Sequence, residues 1–316
     1  MTQEDRPPVV SVLIPVHDGG AFFRAAVESV LAQTFRDFEC LILDDGSTDG
    51  SGKIADELAR RDPRVRVIRR ENRGLVATLN ELADAARGEF LARMDADDVC
   101  LPQRLARQLE FLLWHPAAVC VGCAYWMIDE SDRRIAQIRV PADDAAIQRS
   151  ALRGHAPISH PSAMIRASAL RRAGGYRAAF YPAEDLDLWL RLGELGTLAN
   201  LAEPLLCYRV RSDSISGRAA QGRQRDAARR ACADAWARRG IADGRFEATA
   251  EWRPDETPVS RMRFALQYGW MAYAAGFRRT AMVYGFKAIR ALPARQEGWR
   301  LLAIALLRRP PAAPAG

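Results

Sequence analysis

Through the first hundred residues, short apolar runs alternate with amphipathic stretches at a regular interval. Residues 9–15, 38–43, 65–68 and 90–94 read as strands, the first two nearly continuous apolar runs. Between them lie stretches of helical period. Residues 20–35 place Phe22, Phe23, Ala26, Val27, Val30 and Leu31 along one face, Asp49 caps a helix running to about Arg60, and residues 75–86 form a third helix ended by Gly88. Strands alternating with helices of this length predict β-α-β crossovers and a mainly parallel sheet covered on both faces. Farther along, a helix follows Pro102 and ends near His115-Pro116. Residues 118–128 and 135–140, joined by a turn at 129–134, predict a hairpin. Residues 162–166 form a short strand and 185–195 a helix, and 205–210 closes the sheet region. Beyond Gly217 the pattern is helical, with a polar break at 243–258.

This order gives the acidic residues a location. Asp44 and Asp45 follow one predicted strand, and Asp95-Ala96-Asp97-Asp98 follows another. Both groups therefore fall at carboxyl ends of parallel strands, where open α/β sheets bind ligands. Three carboxylates in four positions repel one another unless a cation sits among them. Hard oxygen ligands of this kind suit Mg²⁺ or Mn²⁺, which usually also hold phosphate oxygens. The alternative is an acidic loop tip, or a helix N-terminus before Pro102.

Composition narrows the class. At 316 residues and 49% hydrophobic content, the chain suits one large α/β domain with an appendage, or two domains. Lys53 and Lys287 are the only lysines. From Arg209 onward, 21 Arg and Lys stand against 9 Asp and Glu, a net of +12; the total is +7, so the residues before carry −5. The basic end fits an anionic lipid, an anionic substrate or nucleic acid, or a solvated Arg-rich surface. Residues 1–8 lack the apolar core of a signal peptide, and no run of 18 apolar residues exists. Cys120 and Cys123 lie inside the apolar run 119–128 with no second pair at zinc spacing, so they read as core strand residues. The cytoplasm is the default compartment.

Several motifs together resemble a known family. The stretches Val10-Ser11-Val12-Leu13-Ile14-Pro15-Val16-His17-Asp18, Ser29-Val30-Leu31-Ala32-Gln33-Thr34-Phe35 and Asp44-Asp45-Gly46-Ser47-Thr48-Asp49-Gly50 resemble the N-terminal half of family 2 glycosyltransferases. Asn72-Arg73-Gly74, Met94-Asp95-Ala96-Asp97-Asp98, His160-Pro161-Ser162, Gly174-Gly175-Tyr176, Glu184-Asp185, Asp187-Leu188-Trp189-Leu190-Arg191-Leu192 and Tyr208-Arg209 follow in matching order. The resemblance covers residues 9–216. It implies the α/β GT-A (nucleotide-diphospho-sugar transferase) fold, with a mixed, mostly parallel central sheet flanked by helices and here a helical C-terminal extension. The implied division is a disordered N-terminus (1–8), a catalytic domain (9–217) and a basic helical region (218–316).

The resemblance also implies roles. Asp45, with Asp44, matches the carboxylate that hydrogen-bonds the uracil or ribose, though Asp-Gly-Ser would equally make a tight turn. Pro15, His17, Arg73, Asp95 and Arg209 fall among the nucleotide-sugar-binding positions. Asp95 and Asp97 match the D-x-D pair, with Asp98 an additional metal ligand, for Mn²⁺ or Mg²⁺ bridging two phosphates. Asp185 matches the general base that takes the acceptor proton in a single inverting displacement; a helix N-terminus would also favour Glu184 and Asp185 there. His160 is either near the diphosphate or structural, and Trp189 is core or an acceptor platform. The family's Tyr-Arg-x-His is replaced by Tyr208-Arg209-Val210-Arg211, so a metal ligand from that histidine is lacking.

The activity so implied is transfer of a hexose or N-acetylhexosamine from a UDP-sugar to a glycan or glycolipid acceptor in cell-surface polysaccharide biosynthesis. A polyprenyl phosphate acceptor and a non-catalytic scaffold of the same fold are alternatives. A nucleic-acid-binding protein is not expected, since no such motif accompanies the basic third. Residues 299–307 are apolar beside Arg300, Arg308 and Arg309, and too short to span a bilayer. They read either as a helix in an anionic membrane interface at the inner face of the plasma membrane, or as one packed on the catalytic domain or on a second subunit.

Overall fold

A computed structural model of the chain describes residues 6–211, 218–249, 255 and 257–308. The expected disorder of residues 1–5, and the part of the basic helical region beyond Arg308, lie outside the described residues.

The N-terminal β-α alternation forms as the periodicity predicts. Strands β1 (Val10–Val16), β2 (Phe38–Asp45), β3 (Val65–Arg70) and β4 (Phe90–Arg93) are separated by helices α1 (Phe23–Leu31), α2 (Ser51–Arg61) and α3 (Leu75–Ala85). These strands pair in parallel in the order β3-β2-β1-β4. After β5 (Val99–Cys100) and α4 (Arg104–Trp114) comes the hairpin β6 (Ala118–Ile128) and β7 (Arg134–Ile138). Then follow α5 (Asp144–Leu152), β8 (Met164–Arg166), α6 (Ala167–Arg172), α7 (Glu184–Leu192) and β9 (Thr197–Arg209). Beyond β4 the sheet turns antiparallel: β8 pairs with both β4 and β6. Among the described residues the full order is β3-β2-β1-β4-β8-β6-β9-β5, with β7 on β6. Helices α8 (Arg218–Arg239), α9 (Pro258–Ala274), α10 (Arg278–Ala291) and α11 (Gln296–Leu307) complete the chain.

Two compact units emerge. The first comprises residues 1–124, 139–206 and 224–249, the second 125–138, 207–223 and 250–316. In the first, Leu13, Leu41, Leu43, Leu79, Leu91, Ile165, Leu188 and Trp189 form the main core between sheet and helices. The later part of α8 belongs to this unit, its Ala227, Ala231, Cys232 and Ala235 packing with Ala183, Leu186 and Leu190. In the second, Ile135 and Ala136 of β7 pack with Met262, Ala265, Tyr284, Leu301 and Ala305 of the C-terminal helices. Cys120 and Cys123 are buried free thiols, as their apolar setting predicts.

Some boundaries differ for identifiable reasons. The helix predicted to reach Phe35 ends at Leu31. The buried Gln33 amide donates to the carbonyl oxygens of Ser29 and Leu101 and accepts from Leu105 N–H, which draws the chain toward α4 instead. Asp49 is not the N-cap of α2; Gly50 is, at φ +96°, while Asp49 accepts from the backbone N–H groups of Ser51 and Gly20. The closing strand begins at Thr197 rather than 205.

Candidate active site

The carboxyl ends of β1 and β2 carry one corner of the site. Val16 pairs with Asp44, which sets His17 just beyond the strand end beside the Asp44-Asp45 pair. Pro15 is buried within β1 opposite Leu43. Gly46 turns the chain at φ +80°, and a Cβ there would stand 2.9 Å from Asn72 N, so this turn requires glycine. Asp44 accepts from Ser47 N–H at 2.9 Å. Asp45, buried, accepts from the N–H groups of Arg73 and Gly74, both at 2.9 Å, and from the Arg70 guanidinium. Asp45 therefore locks the Asn72-Arg73-Gly74 loop onto the end of β2. The Arg73 side chain is exposed, and Asn72 Nδ2 lies 3.1 Å from His17 Nε2. His17, Asp44, Asp45 and Arg73 thus meet at one edge.

The second corner follows β4. The cation among the clustered acids comes from the chain itself. Arg93, only 4% exposed, pairs through Nη2 with Asp95, while its Nε and Nη1 have no hydrogen-bond partner. Burial opposes its charge, but Asp95 and Asp98 hold its pKa above the ordinary arginine value. Asp95 and Asp97 are partly exposed and Asp98 is buried. Beneath them, Arg104 is fully buried without a carboxylate among its hydrogen-bond partners. It donates to the carbonyl oxygens of Arg93 and Ala163, to Gln108 and to the sulfurs of Met94 and Cys100. Gln108 in turn donates to the carbonyl oxygens of Val121 and Ser162. This knot ties the approach to Asp95 to the turn that carries His160.

The third corner is the N-terminus of α7, whose first turn holds Glu184, Asp185 and Asp187. Asp187 is bound by Arg191 at 2.7 Å and by Arg177, which also pairs with Asp234 of α8 at 2.6 Å. No such cation contacts Glu184 or Asp185 among the described residues. Asp185, half-buried, accepts from Leu186 N–H at 2.7 Å. Burial raises its pKa, with Arg93 pulling the other way and Asp95 adding to the rise. Glu184, 5% exposed with Oε2 unpartnered, is pushed up to about 7 by burial and then by Asp185. Arg93 thus stands within electrostatic reach of both the Asp95 group and the two unpaired acids of α7.

His160 and Trp189 pack against each other. His160 is buried, hydrogen-bonded with the Tyr176 hydroxyl at 2.9 Å, and set edge-on to Trp189, which is fully buried in the core. Burial and then Arg93 hold its pKa well below the ordinary histidine value, so the ring is neutral. Arg209 belongs to the second unit, where its Nη1 donates to Asp129 O at 2.9 Å and lies 2.8 Å from Asp132.

Arg70, Arg93 and Arg104 were not singled out in the sequence, and Glu184 was named there only beside Asp185 at a helix N-terminus. For the arginines the available signal was a charge inside an apolar or motif-flanking segment, which the surrounding carboxylates or carbonyls must hold.

Among the described residues, no group of three or more His, Cys, Asp and Glu side chains surrounds a common point. A Mg²⁺-type ion takes one or two carboxylates and completes its shell with water and phosphate oxygens. The carboxylates of Asp95 and Asp97 are hard oxygen donors and partly open to solvent, so their chemistry suits such an ion.

The comparisons with known proteins decide the family. The model of Glycosyl transferase family 2 matches residues 11–174, just over half of the chain. The chain belongs to glycosyl transferase family 2. It is 36% identical over 212 residues to the putative glycosyltransferase EpsE of Bacillus subtilis, covering 66% of this chain and 74% of that one. The amylovoran biosynthesis glycosyltransferase AmsE of Erwinia amylovora is 34% identical over 61% of this chain and 72% of its own. The O-antigen biosynthesis glycosyltransferase WbnJ of Escherichia coli is 31% identical over 65% and 81%. In structure the chain is similar to the mannosyltransferase PcManGT of Pyrobaculum calidifontis in complex with GDP-Man and Mn²⁺ (TM-score 0.52, 18% identity, 96% of this chain and 81% of that one). It is equally similar to S. aureus TarS 1-349 in complex with UDP-GlcNAc (TM-score 0.54, 16% identity, 94% and 79%). These likenesses establish the GT-A fold. As a family 2 member the protein is a glycosyltransferase.

Proposed function

We propose that this enzyme transfers a hexose or N-acetylhexosamine from a nucleotide-diphosphate sugar, UDP-linked, to a glycan or glycolipid acceptor in cell-surface polysaccharide biosynthesis. Work at the inner face of the membrane, where lipid-carried acceptors are extended, is part of the same proposal. The relatives named for amylovoran and O-antigen biosynthesis support the setting. TarS with UDP-GlcNAc supports the donor class, while PcManGT with GDP-Man makes the base the first variable to test.

The observation that carries the mechanism is the contrast within one helical turn. Asp187 is neutralised by two arginines, whereas Asp185 has no cation in contact among the described residues and is half-open to solvent. A carboxylate in that state is suited to receive a proton. In the proposed displacement, Asp185 takes the proton of an acceptor hydroxyl as its oxygen attacks the anomeric carbon. The bond from that carbon to the diphosphate oxygen breaks on the opposite face, which inverts the centre. Asp45, Asp44, His17 and Arg73 hold the nucleoside, with Pro15 shaping the strand beneath it. Asp95 and Asp97, with Asp98 behind them, would hold Mn²⁺ or Mg²⁺, which offsets charge on the departing nucleoside diphosphate. Arg209 is included as a nucleotide-sugar residue on the family motif alone.

Calorimetric titration with a panel of nucleoside diphosphates, first with Mn²⁺ and then with EDTA, tests the donor half. UDP is expected to bind, and EDTA to weaken that binding. Binding of none of them in the presence of metal would overturn the proposal in favour of a fold retained without its chemistry.

A further inference from the structure

The charge of the C-terminal helices is unlike that of the first unit. Between Thr257 and Arg308 there are nine Arg and Lys and one acid, Glu297. All nine cations are exposed, and none makes an ion pair with a described carboxylate. In the first unit, by contrast, Arg24, Arg64, Arg70, Arg177, Arg191 and Arg238 each hold a carboxylate. An uncompensated basic surface of this kind is ordinarily a site for an anionic partner or a solvated face.

Its apolar side chains decide between them. Leu301, Leu302 and Ala305 of α11 are buried, Leu301 and Ala305 in one cluster with residues of α9 and α10. Its opposite face carries Trp299 (54% exposed), Ala303, Leu306 (44%) and Leu307 (85%), at spacings of four, seven and eight from Trp299. Arg300 and Arg308 flank that stripe, and Phe286 of α10, 57% exposed, stands beside Lys287. A solvated face does not need large apolar groups at this density.

Some polar atoms near the stripe are already satisfied. Trp299 Nε1 donates to Pro293 O at 2.9 Å, so the exposed ring needs no water partner. Arg278 donates to the carbonyl oxygens of Ala305 and Leu306, two of the groups that a helix C-terminus otherwise leaves open. These bonds lower the cost of taking this end of α11 out of water.

We propose that α11, with Arg300 and Arg308 beside its exposed stripe, docks on an anionic phospholipid surface. Trp299, Leu306 and Leu307 enter the interface, and Arg300 and Arg308 lie at the headgroups. A bilayer is the anionic partner that takes both halves of this surface. Nucleic acid uses the cations and has no use for exposed Leu306 and Leu307 at a helix end, and a second copy brings nine like charges against nine. The inference concerns binding alone and does not depend on the transfer reaction.

Vesicle co-sedimentation of the full chain tests it, with mixed phosphatidylglycerol and phosphatidylcholine vesicles against phosphatidylcholine alone. Binding is expected on the anionic vesicles only and weakened by salt. The double variant Trp299→Ser, Leu307→Ser, at positions exposed enough to leave the fold intact, should lose roughly tenfold or more in vesicle affinity. Arg300→Glu with Arg308→Glu should do the same while leaving the apolar stripe in place. Wild-type protein that ignores anionic vesicles, or variants that bind as wild type does, would overturn the proposal. So would a wild-type dimer in light scattering that these substitutions dissociate, since the stripe would then be a subunit contact. UDP titration of the same variants should be unchanged, which keeps this result separate from the donor-site reading.

Discussion

Glu184 and Arg93 are the residues on which the electrostatics of the site turn. Glu184 binds its proton more tightly in the folded chain, at about 7 against an ordinary 4.5, so this group stabilises the fold least at high pH. Its penalty is absent well below 4.5, grows as pH rises through the interval, and is complete above 7. At its upper limit that penalty is about 3 kcal/mol. Glu184→Gln is therefore expected to raise the denaturation midpoint at pH 8, with the gain shrinking toward pH 5; an equal gain at both would contradict the assignment. Arg93→Met removes the cation that holds Asp95 and should destabilise the protein by about 1–3 kcal/mol in denaturant titration, since the remaining carboxylate is partly exposed. It should also move the acid limb of the pH–rate profile upward, because burial raises the Asp185 pKa and Arg93, alongside the Leu186 N–H, opposes that rise. Neither role was legible in the sequence. The three acids of 95–98 plainly required a cation, but an arginine inside an apolar run gives no sign of which way its side chain turns. Asp185 was legible through the family motif, and its freedom from cations became visible only beside Asp187.

At the scale of elements, α7 is seated by charge as well as by its apolar face. Asp187 joins it to Arg177 and, through Arg177, to α8. Asp187→Asn should cost about 3 kcal/mol or more in stability, since it leaves buried Arg191 without its carboxylate. Nucleotide binding at β1 and β2 should survive in the folded fraction, as read by calorimetry. Elements with a strong period were readable: the four parallel strands, α4 and the hairpin. Those with a weak one were not. Helices α5 and α6 are nine and six residues long. The first half of β9 was hidden by Pro204, which lies within the strand although proline ordinarily argues against one. The end of α1 depended on a side-chain bond from Gln33 to a carbonyl 68 residues away, which no local pattern carries.

For the whole molecule, the alternation of strands and helices was enough to place both acidic groups at carboxyl strand ends, and the sheet bears that out. The turn to antiparallel pairing beyond β4 was less visible, because it depends on which strands meet rather than on what each strand is. The charge asymmetry between the two ends of the chain was legible as a number. Its meaning was not, until the pairing of the arginines showed which cations are compensated.

The central claim is that Asp185 acts as the base in a transfer whose donor is held elsewhere in the site. Its most direct test is Asp185→Asn, measured for sugar transfer and for UDP binding with Mn²⁺ on the same preparation. Transfer should fall on the order of a thousandfold, within the range ascribed to general bases, while UDP binding stays close to wild type. Full transfer activity in this variant would contradict the account.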